Sequence, residues 1–239
     1  MSKQNTQAFF ATTHWSIVVR SQGNSNEAFQ ALESLCRIYW SPLYSFARRS
    51  GQTSADAEDS VQSYFSTLVE QKLFAKADAD KGKLRTFLLT TFRRFMTDEY
   101  RRSTTQKRGG EFEHISFDIA KGESWYGGQQ DSDSAEKLFD RRWAMTVMEE
   151  AMGKLRNRWE ERGKLDQFEL LRPFLTTPPE PNAYAKIGEE TGLGLSGVKS
   201  AVSRLRTQFG DFLRSEVRET QLDDKNFEEE MQALFSAFP

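Results

Sequence analysis

The strongest constraint on the fold of this 239-residue chain is a pattern of helix, glycine turn and helix in residues 184–206. Gly192 can adopt the left-handed backbone that ends a helix in a tight turn, and the small Ala185 predicts a close approach between the two helices. Apolar residues at helical spacing predict a shared core: they are Ile187, Leu193, Val198, Val202 and Leu205. The pattern therefore predicts a helix-turn-helix.

The second helix of this motif presents polar and basic side chains on its outward face. Hydroxyl, ammonium and guanidinium groups donate to phosphates and to base edges, which are the contacts that a helix makes in the major groove. The candidate DNA-contacting residues on this helix are Ser196, Lys199, Ser200, Ser203 and Arg204.

The rest of the chain also has helical periodicity, and no alternating strand pattern of useful length occurs. We therefore predict an all-α protein with two small helical domains joined by a flexible linker. The predicted ranges are an N-terminal arm at 1–26, a helical domain at 27–104, the linker at 105–134, the helix-turn-helix domain at 135–220 and an acidic C-terminal extension at 221–239.

The individual helices of both domains can be placed by their caps and apolar stripes. Pro42 predicts a kink or restart in the helix that begins at Glu27, and Ser54 predicts the cap of a helix running to about Leu73. The buried stripe of that second helix is predicted to be Val61, Phe65, Leu68 and Val69. Further helices are predicted to end near Arg102, and to occupy about 135–161, 165–175 and 227–235.

The third helix carries two stripes. Leu84, Leu88, Phe92 and Phe95 share one face, which predicts a core position. A second stripe combines an aromatic ring, hydroxyl groups and arginines, as a surface that holds a strand and stacks its bases would require. Its candidate DNA-binding residues are Phe87, Thr90, Arg94, Thr97 and Arg101, with Arg93 and Tyr100 beside them. The alternative is that the aromatic side chains are core and the arginines are only solvated.

Charge is distributed unevenly, although the formal net charge is only −2. Residues 81–108 contain nine basic and two acidic residues, which predicts attraction to phosphates. Residues 216–230 contain seven acidic and two basic residues. This acidic segment is interpreted as a solvated face, with shielding of the basic DNA surface as the alternative.

The composition argues against several classes of protein. No apolar run approaches membrane-spanning length and no leader pattern is found, so we expect a cytoplasmic protein. Cys36 has no partner for an internal disulfide, and with only His14 and His114 a zinc site is not expected. No catalytic set or phosphate-binding glycine loop occurs. We therefore expect no cofactor, no metal and no enzymatic activity.

These segments together resemble a bacterial RNA polymerase sigma factor of the extracytoplasmic-function type, in the sigma-70 family. Residues 35–49, 56–65, 83–102 and 184–206 carry the resemblance. Residues 12–16, the long linker and residues 139–144 are similar to a large subgroup frequent in planctomycetes. The resemblance implies that the chain binds core RNA polymerase and directs promoter recognition and DNA melting. It leaves open whether an anti-sigma factor is a further partner.

The resemblance also assigns roles to particular segments. The polymerase-binding residues that it implies are Asp56, Asp59, Gln62 and Phe65. The 83–102 helix would face the downstream promoter element, with a pocket for a flipped base formed by about 74–84, and the helix-turn-helix would read the upstream element. The chain departs from the family pattern at Ser63 and at Gly194 and Leu195. The alternative function is a helix-turn-helix regulator that binds duplex DNA without polymerase.

Overall fold

The computed structural model describes residues 26–70, 83–103, 133–177, 180, 182–221 and 226–238. Every regular element in these ranges is helical, which confirms the predicted all-α class. The N-terminal arm up to residue 25, His14, His114, linker residues 105–132 and most of the predicted base pocket lie outside the described residues.

Eight α-helices occur in the described part of the chain. They are α1 Asn26–Arg49, α2 Ser54–Glu70, α3 Leu84–Ser103, α4 Ala135–Glu160, α5 Leu165–Leu171, α6 Ala183–Thr191, α7 Leu195–Glu219 and α8 Phe227–Ser236. A 3₁₀ turn, Arg172–Leu175, follows α5, where a single helix was predicted. Pro173 lies at the start of this turn, and its missing N–H cannot extend the α-helical hydrogen-bond pattern.

The contacts divide the chain into two compact units. Unit 1 consists of residues 1–146 and 217–239, and unit 2 consists of residues 147–216. In the described residues, unit 1 therefore contains α1, α2, α3, the first part of α4 and α8, whereas unit 2 contains the rest of α4, α5, α6 and most of α7. The domain ranges given above stay a prediction.

Helix α1 continues through Pro42, so of the two predicted effects, a kink or a restart, the restart does not occur, and the kink stays a prediction. Proline removes one backbone donor from the helix interior. The residues around it are nearly all buried, with Tyr39 1% exposed and Leu43 and Tyr44 fully buried. The packing of this apolar surface stabilises the helix despite the missing hydrogen bond, because most helical stability in proteins comes from tertiary contacts.

Helix α2 is capped by Thr53 rather than by Ser54. The Thr53 Oγ1 accepts a hydrogen bond from the Asp56 N–H at 3.2 Å, which caps the helix, and the same hydroxyl donates to the Asp56 carboxylate at 2.7 Å. The Ser54 hydroxyl instead lies 2.8 Å from the Tyr44 hydroxyl. Val69, predicted to be buried, is 48% exposed.

Tyr64 replaces Val69 in the buried stripe of α2. Its side chain is 1% exposed, and its hydroxyl donates to the Leu88 carbonyl at 2.9 Å, which joins α2 to α3. The ring centroid of Tyr64 lies 5.0 Å from that of Phe92, which is fully buried. Leu84 and Leu88 are buried as predicted, so the core stripe of α3 is confirmed at these positions.

Cys36 lies in this core, and its burial predicts an unreactive thiol. Burial, with a smaller contribution from Glu33, raises the pKa of Cys36 to about 12 from 9.0. Because the thiolate is the nucleophile, native protein at pH 8 should react with a disulfide reagent about a thousandfold more slowly than denatured protein. Stopped-flow absorbance would measure this ratio, with Cys36→Ser as the background. Equal rates in native and denatured protein would contradict the assigned burial.

The core of unit 2 contains side chains from all of its helices. Leu155, Phe168, Val198 and Leu205 are fully buried. The Arg206 guanidinium donates twice to the Phe174 carbonyl, at 3.1 and 2.8 Å, and so links α7 to the 3₁₀ turn. This packing fixes the orientation of α7, so that its polar face points outward.

The turn between α6 and α7 contains the predicted left-handed glycine, since Gly192 has φ 69° and ψ 11°. The prediction that Ala185 allows the close approach is wrong, because Ala185 is exposed. The close approach occurs at Gly188, where an added Cβ would lie 2.7 Å from the Leu193 carbonyl oxygen. The turn therefore requires a residue without a Cβ at position 188, and glycine meets that requirement.

Candidate nucleic-acid interface

Helix α7 has one buried and one exposed face, as its periodicity predicts. Val198, Ala201, Val202 and Leu205 are buried. The five predicted DNA-contacting residues all lie on the exposed side: Ser196, Lys199, Ser200, Ser203 and Arg204. The structure therefore brings together one ammonium, one guanidinium and three hydroxyl groups on a single helix face. Such a face can donate to phosphates and to base edges.

The first turn of α7 adds two features to this face. Leu195 is 55% exposed, and sequence reasoning did not place it among the candidate contacts. An exposed apolar side chain beside hydrogen-bond donors can contact the methyl group of thymine. Gly197 is not required by packing, since an added Cβ would lie 3.5 Å from the Leu193 side chain, an ordinary van der Waals distance.

Helix α3 in unit 1 exposes most of the second predicted stripe. Thr90, Arg94, Thr97 and Arg101 are exposed, whereas Phe87 is half-buried. These exposed groups follow the helix for about three turns, since the rise is about 1.5 Å per residue. The stripe can therefore hold several consecutive phosphates of one strand.

Two residues beside this stripe differ in their surroundings. Arg93 forms an ion pair with Glu136 of α4 and lies over the Phe46 ring, 5.2 Å from its centroid. It therefore already has two partners within unit 1. Tyr100 is 73% exposed and presents an aromatic ring close to Arg101.

The predicted polymerase-binding residues on α2 separate into surface and core positions. Asp56 and Asp59 are exposed, and Gln62 is half-buried, with its amide nitrogen 3.3 Å from the Glu58 carboxylate. Phe65 is 4% exposed, so its side chain belongs to the core of unit 1 and does not form part of an open surface. The surface contribution is thus two carboxylates and one amide, three residues apart on one face.

A buried ion network that was not predicted lies at the N-terminal end of α3. The Arg85 Nε donates to both carboxylate oxygens of Glu230 in α8, at 3.1 and 2.9 Å, and Arg85 also pairs with Asp140 of α4. Glu230 is 3% exposed, and the guanidinium carbon of Arg85 lies 5.0 Å from the Trp143 ring centroid. Three helices of unit 1 therefore meet around one guanidinium group.

The titration of the groups in this network follows from burial and charge. Burial lowers the pKa of Arg85, but the nearby carboxylates of Glu230 and Asp140 outweigh it and the pKa is raised overall. Burial raises the pKa of Tyr39 beside the network, and the charge of Glu230 acts in the same direction. Arg85 therefore stays protonated and Tyr39 stays neutral throughout the physiological range.

The network corrects the interpretation of the acidic segment 216–230 as a solvated face. Glu228 and Glu229 are exposed, but Glu216 and Glu230 are buried. Glu216 forms an ion pair with Lys154. The position of Glu230 could have been inferred from its spacing, because it lies three residues after the buried Phe227 and four before the buried Leu234.

The comparison with protein families agrees with this geometry. Residues 35–106 match the family model of sigma-70 region 2, a range that includes most of α1 and all of α2 and α3. The match supports a sigma-70 family RNA polymerase sigma factor, with core RNA polymerase and promoter DNA as partners. Factors of this family regulate transcription initiation and are not enzymes. Comparison with curated proteins and with solved structures finds no match.

Two further observations concern the described residues only. None of their helices is both long and apolar enough to cross a membrane. No group of three or more His, Cys, Asp or Glu side chains in these ranges could hold a metal ion.

Proposed function

We propose that this protein is a sigma factor of the extracytoplasmic-function type, which binds core RNA polymerase in the cytoplasm and directs promoter recognition and DNA melting. The observation that carries the proposal is the coincidence of the sigma-70 region 2 match with an exposed stripe of arginine and hydroxyl groups on α3. The match alone supports promoter recognition with polymerase, and the stripe adds a surface on which an opened strand can be held.

Unit 1 is proposed to act on the downstream promoter element. Arg94 and Arg101 would hold phosphates, while Thr90 and Thr97 would donate hydrogen bonds and Phe87 would stack on a base at the edge of the stripe. Opened strands otherwise pair again, so favourable contacts with one strand shift the equilibrium toward the melted state. Asp56, Asp59 and Gln62 would contact polymerase, and the buried Phe65 would support their helix.

Unit 2 is proposed to hold the upstream element as intact duplex. The outward residues of α7 would enter the major groove, where Lys199 and Arg204 contact phosphates or guanine and the serine hydroxyls donate to or accept from base edges. We also propose that the protein belongs to the large sigma factor subgroup that is frequent in planctomycetes. An anti-sigma factor is proposed as a further partner.

In vitro transcription with purified core polymerase tests the proposal directly. The full-length protein, added to core polymerase and fragmented genomic DNA, should produce transcripts that start at defined positions, and sequencing of their 5′ ends would identify the promoters. The protein should also co-elute with core polymerase in size-exclusion chromatography. A duplex-binding regulator would instead bind its operator without polymerase and would not support initiation by core enzyme.

Removal of charge from the two surfaces should have separable effects. Arg94→Ala/Arg101→Ala should impair strand opening, measured by permanganate reactivity of unpaired thymines, while duplex binding to the upstream element is retained. Lys199→Ala/Arg204→Ala should weaken upstream binding in footprinting. Each lost phosphate contact should reduce the log–log salt slope by about 0.7 on single strands and about 0.9 on duplex. Unchanged opening and unchanged slopes would refute both assignments.

A further inference from the structure

Lys83 is a basic residue that continues the DNA-facing stripe of α3 at its N-terminal end. It occupies the N-cap position, where its carbonyl accepts the first hydrogen bond of the helix from the Phe87 N–H at 3.0 Å. Lys83 lies 18 residues before Arg101, which is five helical turns, and 11 residues before Arg94, which is about three turns. Extending the helical period by one residue therefore places Lys83 in line with Arg94 and Arg101.

Lys83 is already occupied by carboxylates of α8. Its ammonium nitrogen lies 3.1 Å from a carboxylate oxygen of Glu229 and 3.1 Å from one of Glu230, and its side chain is only 22% exposed. Each of these carboxylates carries the same single negative charge as a phosphodiester and binds an ammonium group through the same kind of charge-assisted hydrogen bond. Helix α8 thus presents negative charge at the first position of the stripe.

The same helix is anchored independently of Lys83. Glu230 is held by both of its oxygens on Arg85, and Arg218 lies over the Phe227 ring at the start of α8, 4.5 Å from the ring centroid. Glu229 is different, since its side chain is 68% exposed and Lys83 is its basic partner among the described residues. The anchor and the contact with Lys83 can therefore be changed separately.

We propose that Lys83 is a phosphate-binding residue of the DNA surface and that the carboxylates of α8 occupy it in the free protein, so that a DNA strand must displace them. This inference rests on the proposed function for its biological meaning, although strand binding itself can be measured without polymerase. The C-terminal extension would then lower the affinity of the free protein for single-stranded DNA. When α8 releases Lys83, Lys83 would make an additional contact with a DNA phosphate.

Binding of a fluorescein-labelled oligothymidine of 20 nucleotides to the full-length protein tests this inference. One additional contact on a single strand contributes a salt slope of about 0.7, which corresponds to about eightfold tighter binding at 50 mM salt. We expect Glu229→Gln to tighten binding about twofold to threefold, because Glu230 still contacts Lys83. Glu229→Gln/Glu230→Gln should approach eightfold and steepen the slope by about 0.7.

Two controls separate this mechanism from a general effect of charge. Glu228→Gln changes the net charge equally, but Glu228 forms no ion pair with the basic residues described in the structure, so it should alter binding much less than Glu229→Gln. Adding Lys83→Gln to the double variant should remove the gain. The proposal is overturned if Glu228→Gln equals Glu229→Gln, if the gain survives Lys83→Gln, or if the double variant binds no better than the wild type.

The assay also separates this inference from the proposed function. Failure to initiate transcription with core polymerase, together with the expected gain in oligothymidine binding, would contradict only the sigma factor proposal. Initiation without any gain would contradict only the role of Lys83. Circular dichroism of each variant would verify that the helices remain folded, and Glu229→Gln, at an exposed position, keeps the test valid if Glu230→Gln unfolds α8.

Discussion

We expect Arg85→Met to lower the free energy of unfolding of the protein by about 3 kcal/mol. The substitution keeps an apolar stem against Trp143 but leaves the buried carboxylate of Glu230 without its two-oxygen partner. Removing one member of a buried ion pair costs about 3–5 kcal/mol, because the remaining charge is poorly solvated. Lys83 retains a contact with Glu230, which places the expected loss at the lower end. Urea denaturation followed by circular dichroism would measure it.

The matched control for Arg85 is an exposed pair on the same helix. Arg102 lies 2.9 Å from Glu99, with 75% and 46% of the two side chains exposed, so Arg102→Met should cost at most about 1 kcal/mol. Arg85→Met/Glu230→Met should recover much of the stability, since apolar side chains of similar volume can replace a buried pair. A loss at Arg85 no greater than that at Arg102 would show that the network contributes little.

The second large effect is expected at the turn of unit 2, where Gly188→Ala should cost about 2–3 kcal/mol. The added Cβ would lie 2.7 Å from the Leu193 carbonyl oxygen, a backbone atom that cannot move without displacing the turn. Overpacking of this kind typically costs about 1–3 kcal/mol. Hydrogen–deuterium exchange of peptides from 183–205 would show faster exchange in the variant.

Gly153→Ala is the control for Gly188→Ala. Gly153 lies in the interior of α4, it is exposed, and an added Cβ would have no atom within 4 Å. Alanine is favoured over glycine in helices, so this substitution should stabilise the protein by about 0.5–1 kcal/mol. The opposite signs would separate a steric effect from the general effect of removing glycine. A stabilising Gly188→Ala would contradict the close approach.

The helices of this protein were largely predictable because their signals are local. Leu84, Leu88 and Phe92 recur at helical spacing, and the structure buries all three. Gly192 could be assigned to the turn because few residues other than glycine adopt positive φ without strain. The exposed face of α7 was predictable from helical spacing, since the residues between its buried positions must face outward.

Predictions failed where a local signal was overruled by packing. Pro42 did not restart α1, one of its two predicted effects, because the surrounding apolar surface is buried and holds the helix together. The cap of α2 is Thr53 because Ser54 contacts Tyr44 instead. Ala185 and Gly188 are both small residues in α6, and their spacing alone did not show which one faces the next helix.

The candidate site was predicted only in part for a related reason. The stripe on α3 and the face on α7 each lie on a single helix, so their members could be grouped from residue spacing. The contact of Glu229 and Glu230 with Lys83 could not be predicted from residue spacing, because these two glutamates lie on a helix far along the chain. Spacing placed Phe65 correctly in the buried stripe of α2, whereas the family resemblance grouped it with the surface residues Asp56, Asp59 and Gln62.

The amino-acid sequence by itself determined the helical class, the two polar and basic helix faces proposed to contact DNA, and the concentration of basic residues before and within α3. These properties depend on the order of side chains along one helix. Only the tertiary structure decided that Arg85, Asp140 and Glu230 share one buried network, since 145 residues separate Arg85 from Glu230. A buried charge is stable only beside its partner, and that partner is selected by the packing of distant segments.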